Sequence, residues 1–421
     1  MKEMLKIVAE ELEIMAPAGN FESLVAAIQG GADSVYFGIG NLNMRSHSAN
    51  NFSEEDLEEI VRICGEAGVK SYLTLNIVLY DEDIESMRRA VERAKAAGVS
   101  AIIASDMAVI VYARSIGMEV HISTQLNVSN IESVRYYSQF ADVVVLAREL
   151  RLDQVRNIYD AIIREDIKGP SGERVKIEMF CHGALCMAVS GKCYLSLHEY
   201  NASANRGACY QLCRRGYEVT DLETGLSLEV DNKYIMSPKD LSTIEFVDKM
   251  ADAGVRVFKI EGRARAPEYV KNVVHAYRTA ADAVCNGEYT SGLVDKLRVK
   301  LTSVFNRGFW DGYYQGARLG EWSDVYGNKA TKRKEYIGKI TNYFSNLSVA
   351  EVLIETGELK VDDDIIIIGP TTGVIEYRVE EIRVELSSVE KSVKGEHCSI
   401  PLPAGVKLRR SDKVYLWREN S

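Results

Sequence analysis

No apolar run in this 421-residue chain approaches the roughly 20 residues of a membrane span. The amino-terminal text MKEMLKIVAEELEIMAP is broken by acids and has the form of neither a signal nor a transit peptide, so a cytoplasmic protein is expected. GxSxG and HExxH are both missing, which removes the commonest serine-hydrolase and zinc-protease signatures. No GxGxxG follows the first apolar strand, which argues against a dinucleotide-binding open sheet. Surplus positive charge is missing too. A net charge of −10 argues against a protein that coats nucleic acid, while leaving room for an enzyme that meets RNA through a local patch. Such patches are Arg206, Arg214 and Arg215; Lys259, Arg263 and Arg265; and Lys329, Lys332, Arg333 and Lys334. Each taken alone reads more simply as solvated surface.

What is present is a concentration of cysteine. Cys186, Cys193, Cys209 and Cys213, half of the chain's eight, fall in one segment with the spacing C-x6-C-x15-C-x3-C. Glycine, serine and asparagine lie between them, a composition that folds around an ion or cluster better than it packs a core. In a reducing compartment clustered cysteines suggest metal rather than disulfides. Zinc ribbons show two tight C-x2-C knuckles, and these gaps are irregular. An iron–sulfur cluster, a structural zinc and redox-active or buried thiols therefore all stay open, with Cys181 a fifth thiol nearby. A Cys186/His182 dyad can be drawn, but these thiols are better explained as ligands.

From residue 11 to about 165 short apolar runs alternate with helical stretches, several of which end in Ala-Gly-Val or Gly-Gly-Ala-Asp. Continuous apolar runs are the mark of buried parallel strands. With VKIEMFCHGA and VFKIEGR the count reaches eight βα units, which predicts an α/β fold: a TIM-type (β/α)8 barrel with the cysteine-rich loop (181–215) and a hairpin inserted after the seventh unit. The expected domains are the barrel over 1–320, a linker over 321–335 and a small antiparallel β-barrel over 336–421, read from six short strands. Barrel chemistry sits at the carboxyl ends of the strands. The polar residues there are Pro17, Gly19, Asn20, Asn43, Arg45, His47, Asn76, Ser105, Asp106, Ser123, Thr124, Gln125, Arg148, Glu149, His182, Glu261 and Arg263. They form a ring suited to a small polar or anionic ligand, although Asn20 and Asp106 read as readily as helix caps.

MAPAGNFESLVAAIQGGADSVYFG, SGKCYLS, NRGACYQLCR, MSPKDL, VFKIEGR and VFNRGFWDGYY occur in order between residue 12 and about 314. Together they resemble the collagenase-like, "unassigned" peptidase family. Its members carry protease names, yet the better understood ones act in oxygen-independent hydroxylation: of the wobble uridine of tRNA with prephenate required, of a cytidine of 23S ribosomal RNA, or of a quinone precursor. The resemblance implies a 4Fe–4S cluster on Cys186, Cys193, Cys209 and Cys213, with Cys181 the rival for the fourth place and zinc the alternative metal. Barrel plus one β domain is most similar to the tRNA branch, so the expected partners are a tRNA anticodon loop and a separate electron donor, with no membrane. On that reading Arg45, Gln125, Arg206, Lys259 and Arg263 bind substrate or prephenate, a dicarboxylate that calls for cations. His182 and Glu261 move protons if they face the pocket, and Tyr36 or Tyr194 stacks the base. The alternatives are a collagenase-like peptidase and hydroxylation of ribosomal RNA or a quinone precursor.

Overall fold

The computed structural model describes residues 12–46, 51–225, 227–228, 236–316, 320–324 and 327–420; His47 of the predicted ring lies outside them. The apolar runs are strands: β1 (Glu13–Pro17), β2 (Ser34–Phe37), β3 (Lys70–Leu75), β4 (Ala101–Ala104), β5 (Glu119–Ile122), β6 (Val143–Val145) and β7 (Lys176–Gly183). Helices alternate with them: α1 (Phe21–Gln29), α2 (Leu57–Glu66), α3 (Ile84–Ala97), α4 (Met107–Ser115), α5 (Ile131–Tyr137) and α6 (Leu152–Glu165). Gly98 shows how the glycine phrases work: at φ 86° it takes the left-handed cap of α3, and its N–H reaches Ala94 and Lys95 carbonyls before β4 begins.

The cysteine segment carries α7 (Leu195–Tyr200), and the hairpin β8 (Val219–Thr220) with β9 (Ser227–Leu228) follows it. Next come β10 (Asp240–Ser242), which runs antiparallel to β7, and α8 (Val247–Asp252). The eighth stave, β11 (Val255–Ile260), pairs in parallel with both β7 and β1 and closes the barrel. The 20-residue α9 (Pro267–Asn286) and α10 (Ser291–Thr302) complete the outer layer. Period-two alternation divides the core. Ile14, Val35, Leu73, Ile102, Val144 and Phe258 face the helices, whereas Met15, Tyr36, Tyr72, Ile103, Val143 and Val257 form a separate apolar cluster inside the barrel.

The carboxyl-terminal strands are β12 (Phe309–Trp310), which joins β10, then β13 (Lys332–Phe344), β14 (Val349–Ile354), β15 (Glu358–Lys360), β16 (Asp364–Gly369), β17 (Gly373–Arg378), β18 (Ile382–Val384), β19 (Ser387–Val389), β20 (Lys391–Val393), β21 (His397–Pro401) and β22 (Lys413–Glu419). Eight of them form an antiparallel sheet in the order β17-β16-β22-β13-β14-β21-β18-β19, and β15 pairs with β20. The predicted linker runs into β13, whose first residue is Lys332, and the single strand expected over IEYRVEEIRV is two, β17 and β18. This domain docks on the flank of the barrel. Ile366, Ile368 and Val374 pack on Ala26 of α1, Gln29 exchanges hydrogen bonds with Thr372 and Val374, and Lys334 pairs with Glu268 of α9. No helix among the described residues is long and apolar enough to cross a membrane.

Candidate functional site at the barrel mouth

A cavity of about 190 Å³ lies between the carboxyl ends of the strands and the cysteine segment. Barrel strands and the loops after them supply Tyr36, Arg45, Thr74, Asn76, Gln125, Arg148, Phe180, Lys259, Glu261, Arg263 and Arg265; the inserted segment supplies Cys186, Cys193, Cys209, Cys213 and Arg214. Six cationic side chains thus face it, against one carboxylate, Glu261, and a second, Glu178, behind Lys259. Burying cations without equal negative charge is costly, so this arrangement suits an anionic ligand.

Each cation is held in place. Lys259 Nζ lies 2.6 Å from Glu178 Oε1, with both side chains buried, and 4.7 Å from the centre of the Tyr36 ring. The other Glu178 oxygen has no hydrogen-bond partner among the described residues. Arg45 Nη2 donates to Glu261 Oε1 at 2.8 Å. Burial alone would raise the Glu261 carboxyl, but Arg45, Arg148 and Arg263 outweigh it and hold the group at about 2. Glu261 is therefore ionised at neutral pH and serves to orient guanidinium groups. Arg263 donates to Thr74 Oγ1 at 3.0 Å, and burial lowers it to about 10, still charged at neutral pH. Its place depends on Gly38, where a Cβ would stand 2.4 Å from Arg263 Nη1. Arg148 lies 3.7 Å over the Phe180 ring and donates to the Ala184 carbonyl, leaving its buried Nε without a partner among the described residues. Gln125 lines the cavity and bonds Asn76 and Ser123.

All four segment cysteines line the cavity. Cys181 does not: it is fully buried among apolar residues, and its Sγ donates to the Lys259 carbonyl at 3.4 Å. Burial pushes Cys213 up to about 11; it also raises Cys193, to which Cys186 and Cys209 add. The four thiols thus share one electrostatic neighbourhood, yet among the described residues no three His, Cys, Asp or Glu groups converge on a single ion position. A zinc ion needs all its sulfurs at about 2.3 Å from one point, whereas a four-iron cluster takes its thiolates on separate corners. Four thiols facing one cavity are a donor set of the kind such a cluster takes. Arg214 ties the segment together, donating to the Leu185 and Pro238 carbonyls at 2.7 and 2.6 Å and to Ser237 Oγ at 3.0 Å.

Two expected site residues lie elsewhere. His182 does not reach the cavity, because the β7–β11 register pairs Phe180 with Lys259 but His182 with Ile260, so that Cys181 is the extra residue of a bulge. His182 consequently shares the outward face of Ile260 and packs against Tyr269, Tyr277 and Phe309, where burial lowers it to about 3. Arg206 lies outside the mouth, paired with Asp83 at 2.6 Å and stacked 3.9 Å over Tyr80. Of the two proposed stacking residues, Tyr36 lines the cavity and Tyr194 is exposed. Asn20 and Asp106 are caps, accepting from Ser23 and Ala108 N–H groups. Glu178 was missed, although a lone acid inside the apolar strand KIEMF is itself a signal.

Residues 19–324 match the model of peptidase family U32, and the chain belongs to that family. It is 62% identical over 405 residues to a collagenase of Porphyromonas gingivalis, covering 96% of this chain and 97% of that protein. It is 32% identical over 385 residues to tRNA hydroxylation protein P1 of Bacillus subtilis, covering 90% and 88%. To the 23S rRNA 5-hydroxycytidine C2501 synthase of Escherichia coli it is 36% identical over 324 residues, covering 75% of this chain and 47% of that enzyme.

Proposed function

We propose that this member of family U32 is an RNA hydroxylase that converts the wobble uridine of tRNA to 5-hydroxyuridine, with prephenate as co-substrate. The observation that carries the reading is the cavity itself: thiols on one wall and an excess of buried and half-buried cations on the other. Cys186, Cys193, Cys209 and Cys213 would hold a 4Fe–4S cluster, which when bound supplies electron transfer or structural support. Lys259, Arg45, Arg148 and Arg263 bind the carboxylates of the co-substrate, Glu261 aims Arg45, and Tyr36 offers an aromatic face to the base. Replacing C5–H by C5–OH with oxygen at the oxidation level of water or an alcohol removes two electrons from the ring, so the scheme calls for a two-electron acceptor in place of the electron donor expected from the sequence.

The test is mass spectrometry of tRNA nucleosides from cells with and without the gene. Loss of 5-hydroxyuridine and its carboxymethoxy or methoxy derivatives is expected; an unchanged profile overturns the tRNA reading. Restoring the gene as Arg263→Ala should leave the nucleoside at a tenth of its level or less. The likeness to a collagenase favours a peptidase as the second reading. Against it, none of the described histidines lines the cavity beside the cysteines. Cleavage of purified gelatin by protein stripped of iron and other metals would restore the peptidase.

A further inference from the structure

A second cavity, of about 540 Å³, opens beside the first, within the roughly 300–1,000 Å³ usual for ligand sites. One stretch of the cysteine segment is the wall between them: Ala204, Asn205 and Cys209 face the mouth, whereas Ser203, Arg206 and Ala208 face the second cavity. The wall is pinned, since Val78 N–H donates to the Asn205 carbonyl at 3.0 Å and Arg206 to the Val78 carbonyl at 3.1 Å. A single strand of backbone occupies about 5 Å.

The two cavities differ in charge. Beside the six cations of the mouth, the second has only Arg206 and Asp83, which neutralise each other at 2.6 Å. It therefore suits neither a phosphate nor a dicarboxylate, and one carboxylate is too few for a hard cation. Leu42, Ile77 and Leu197 give it apolar walls; Tyr80, about half exposed, extends a flat face, with the Arg206 guanidinium lying over its ring at 3.9 Å; Asn41, Asn201 and Ser203 bring hydrogen-bonding groups to the rim. An uncharged, planar ligand with polar edges matches these features, and a nucleobase is such a ligand.

We propose that this cavity is a second base site, which holds the unstacked neighbour of the nucleotide that enters the mouth. The inference rests on the RNA reading above and deepens it: RNA is gripped on both sides of the cysteine segment, with one base in each cavity. Arg206 then acts here, on the neighbouring base, and has no part in binding the co-substrate.

The experiment is a binding titration of the holoprotein with an anticodon stem–loop RNA, using wild type, Tyr80→Ala, Tyr80→Phe and Asn201→Ala. Tyr80→Ala should weaken binding about tenfold, and Tyr80→Phe should retain it. The same titration with an abasic nucleotide on either side of the target uridine sharpens the test. On one side the abasic RNA should bind wild type as poorly as intact RNA binds Tyr80→Ala, and Tyr80→Ala should then cost nothing further. Wild-type binding of intact RNA by Tyr80→Ala, or penalties that simply add, overturns the second site and leaves the RNA reading standing. Competition by a free mononucleotide at the affinity of the RNA would make the cavity a small-molecule site and overturn the proposal. Failure of the wild type to bind the stem–loop overturns both.

Discussion

In the carboxyl-terminal sheet Glu358 stands between Lys360 at 2.6 Å and Lys391 at 3.0 Å, with water around all three. At the barrel mouth Glu261 stands against Arg45 at 2.8 Å, both half-buried, with further guanidinium groups behind it. Both carboxyls are held at about 2. The same acidity is reached by different physics. On the sheet the charges are screened by solvent, and each pair adds little to stability. At the mouth the cations exceed the carboxylates, and the fold carries that imbalance until a ligand corrects it. What sets the mouth apart is that its surplus of cations is largely withdrawn from water, where screening is weak.

The sharpest way to break this contrast is at the buried pair. Lys259→Met leaves Glu178 fully buried without its cation, and removal of one partner of such a pair costs about 3–5 kcal/mol. A matching drop in unfolding free energy should appear in urea titration. The double variant Lys259→Met with Glu178→Met should recover most of it, because two apolar side chains of similar volume replace both charges. Equal midpoints for single and double variants would mean that the pair is not coupled as the 2.6 Å contact implies.

The cysteines divide in the same way, into those at the mouth and one in the core. Cys213→Ser should lose most of the iron and the visible absorption of protein purified without oxygen, and Cys181→Ser should keep both. Cys181 lies in the apolar layer with its Sγ on the Lys259 carbonyl. The reverse result would make Cys181 the fourth ligand and require the bulge in β7 to rearrange.

The barrel was legible in the sequence because buried parallel strands leave continuous apolar runs, and because glycine at helix ends marks each return. The direction of His182 was not legible. Counting by twos from Glu178 and Phe180 points it inward, and only the register with β11, set by a bulge at Cys181, turns it to the helices. Arg206 was misplaced for a related reason: in an insertion with no period, composition does not tell which side of the wall a residue faces. The start of the carboxyl-terminal sheet was read as linker because Lys332, Arg333 and Lys334 are polar. They form one end of β13, paired to Glu419, Arg418 and Trp417 of β22. Glu178 and Lys259 were within reach, since each is a charge inside an apolar strand and the strands are neighbours in the barrel.

The smallest expected effects return to the two acidic carboxyls. Glu261 has its folded value at about 2 against an ordinary 4.5, so its contribution to stability is fully present above about pH 4.5 and is lost as pH falls toward 2. Glu261→Gln should flatten that part of the acid limb in urea titrations run across the interval. Glu358 is depressed to the same degree by Lys360 and Lys391, but it lies at the surface with both partners exposed, so Glu358→Gln should leave the midpoint within measurement error. Salt separates the two directly. The screening length falls from about 10 Å at 0.1 M to about 3 Å at 1 M for charges in water, and much less for buried ones. In carboxyl titrations followed by NMR, Glu358 should move back toward its ordinary value at 1 M salt while Glu261 stays near 2. If both move together, the mouth is as open to water as the sheet, and its cations need no ligand to balance them.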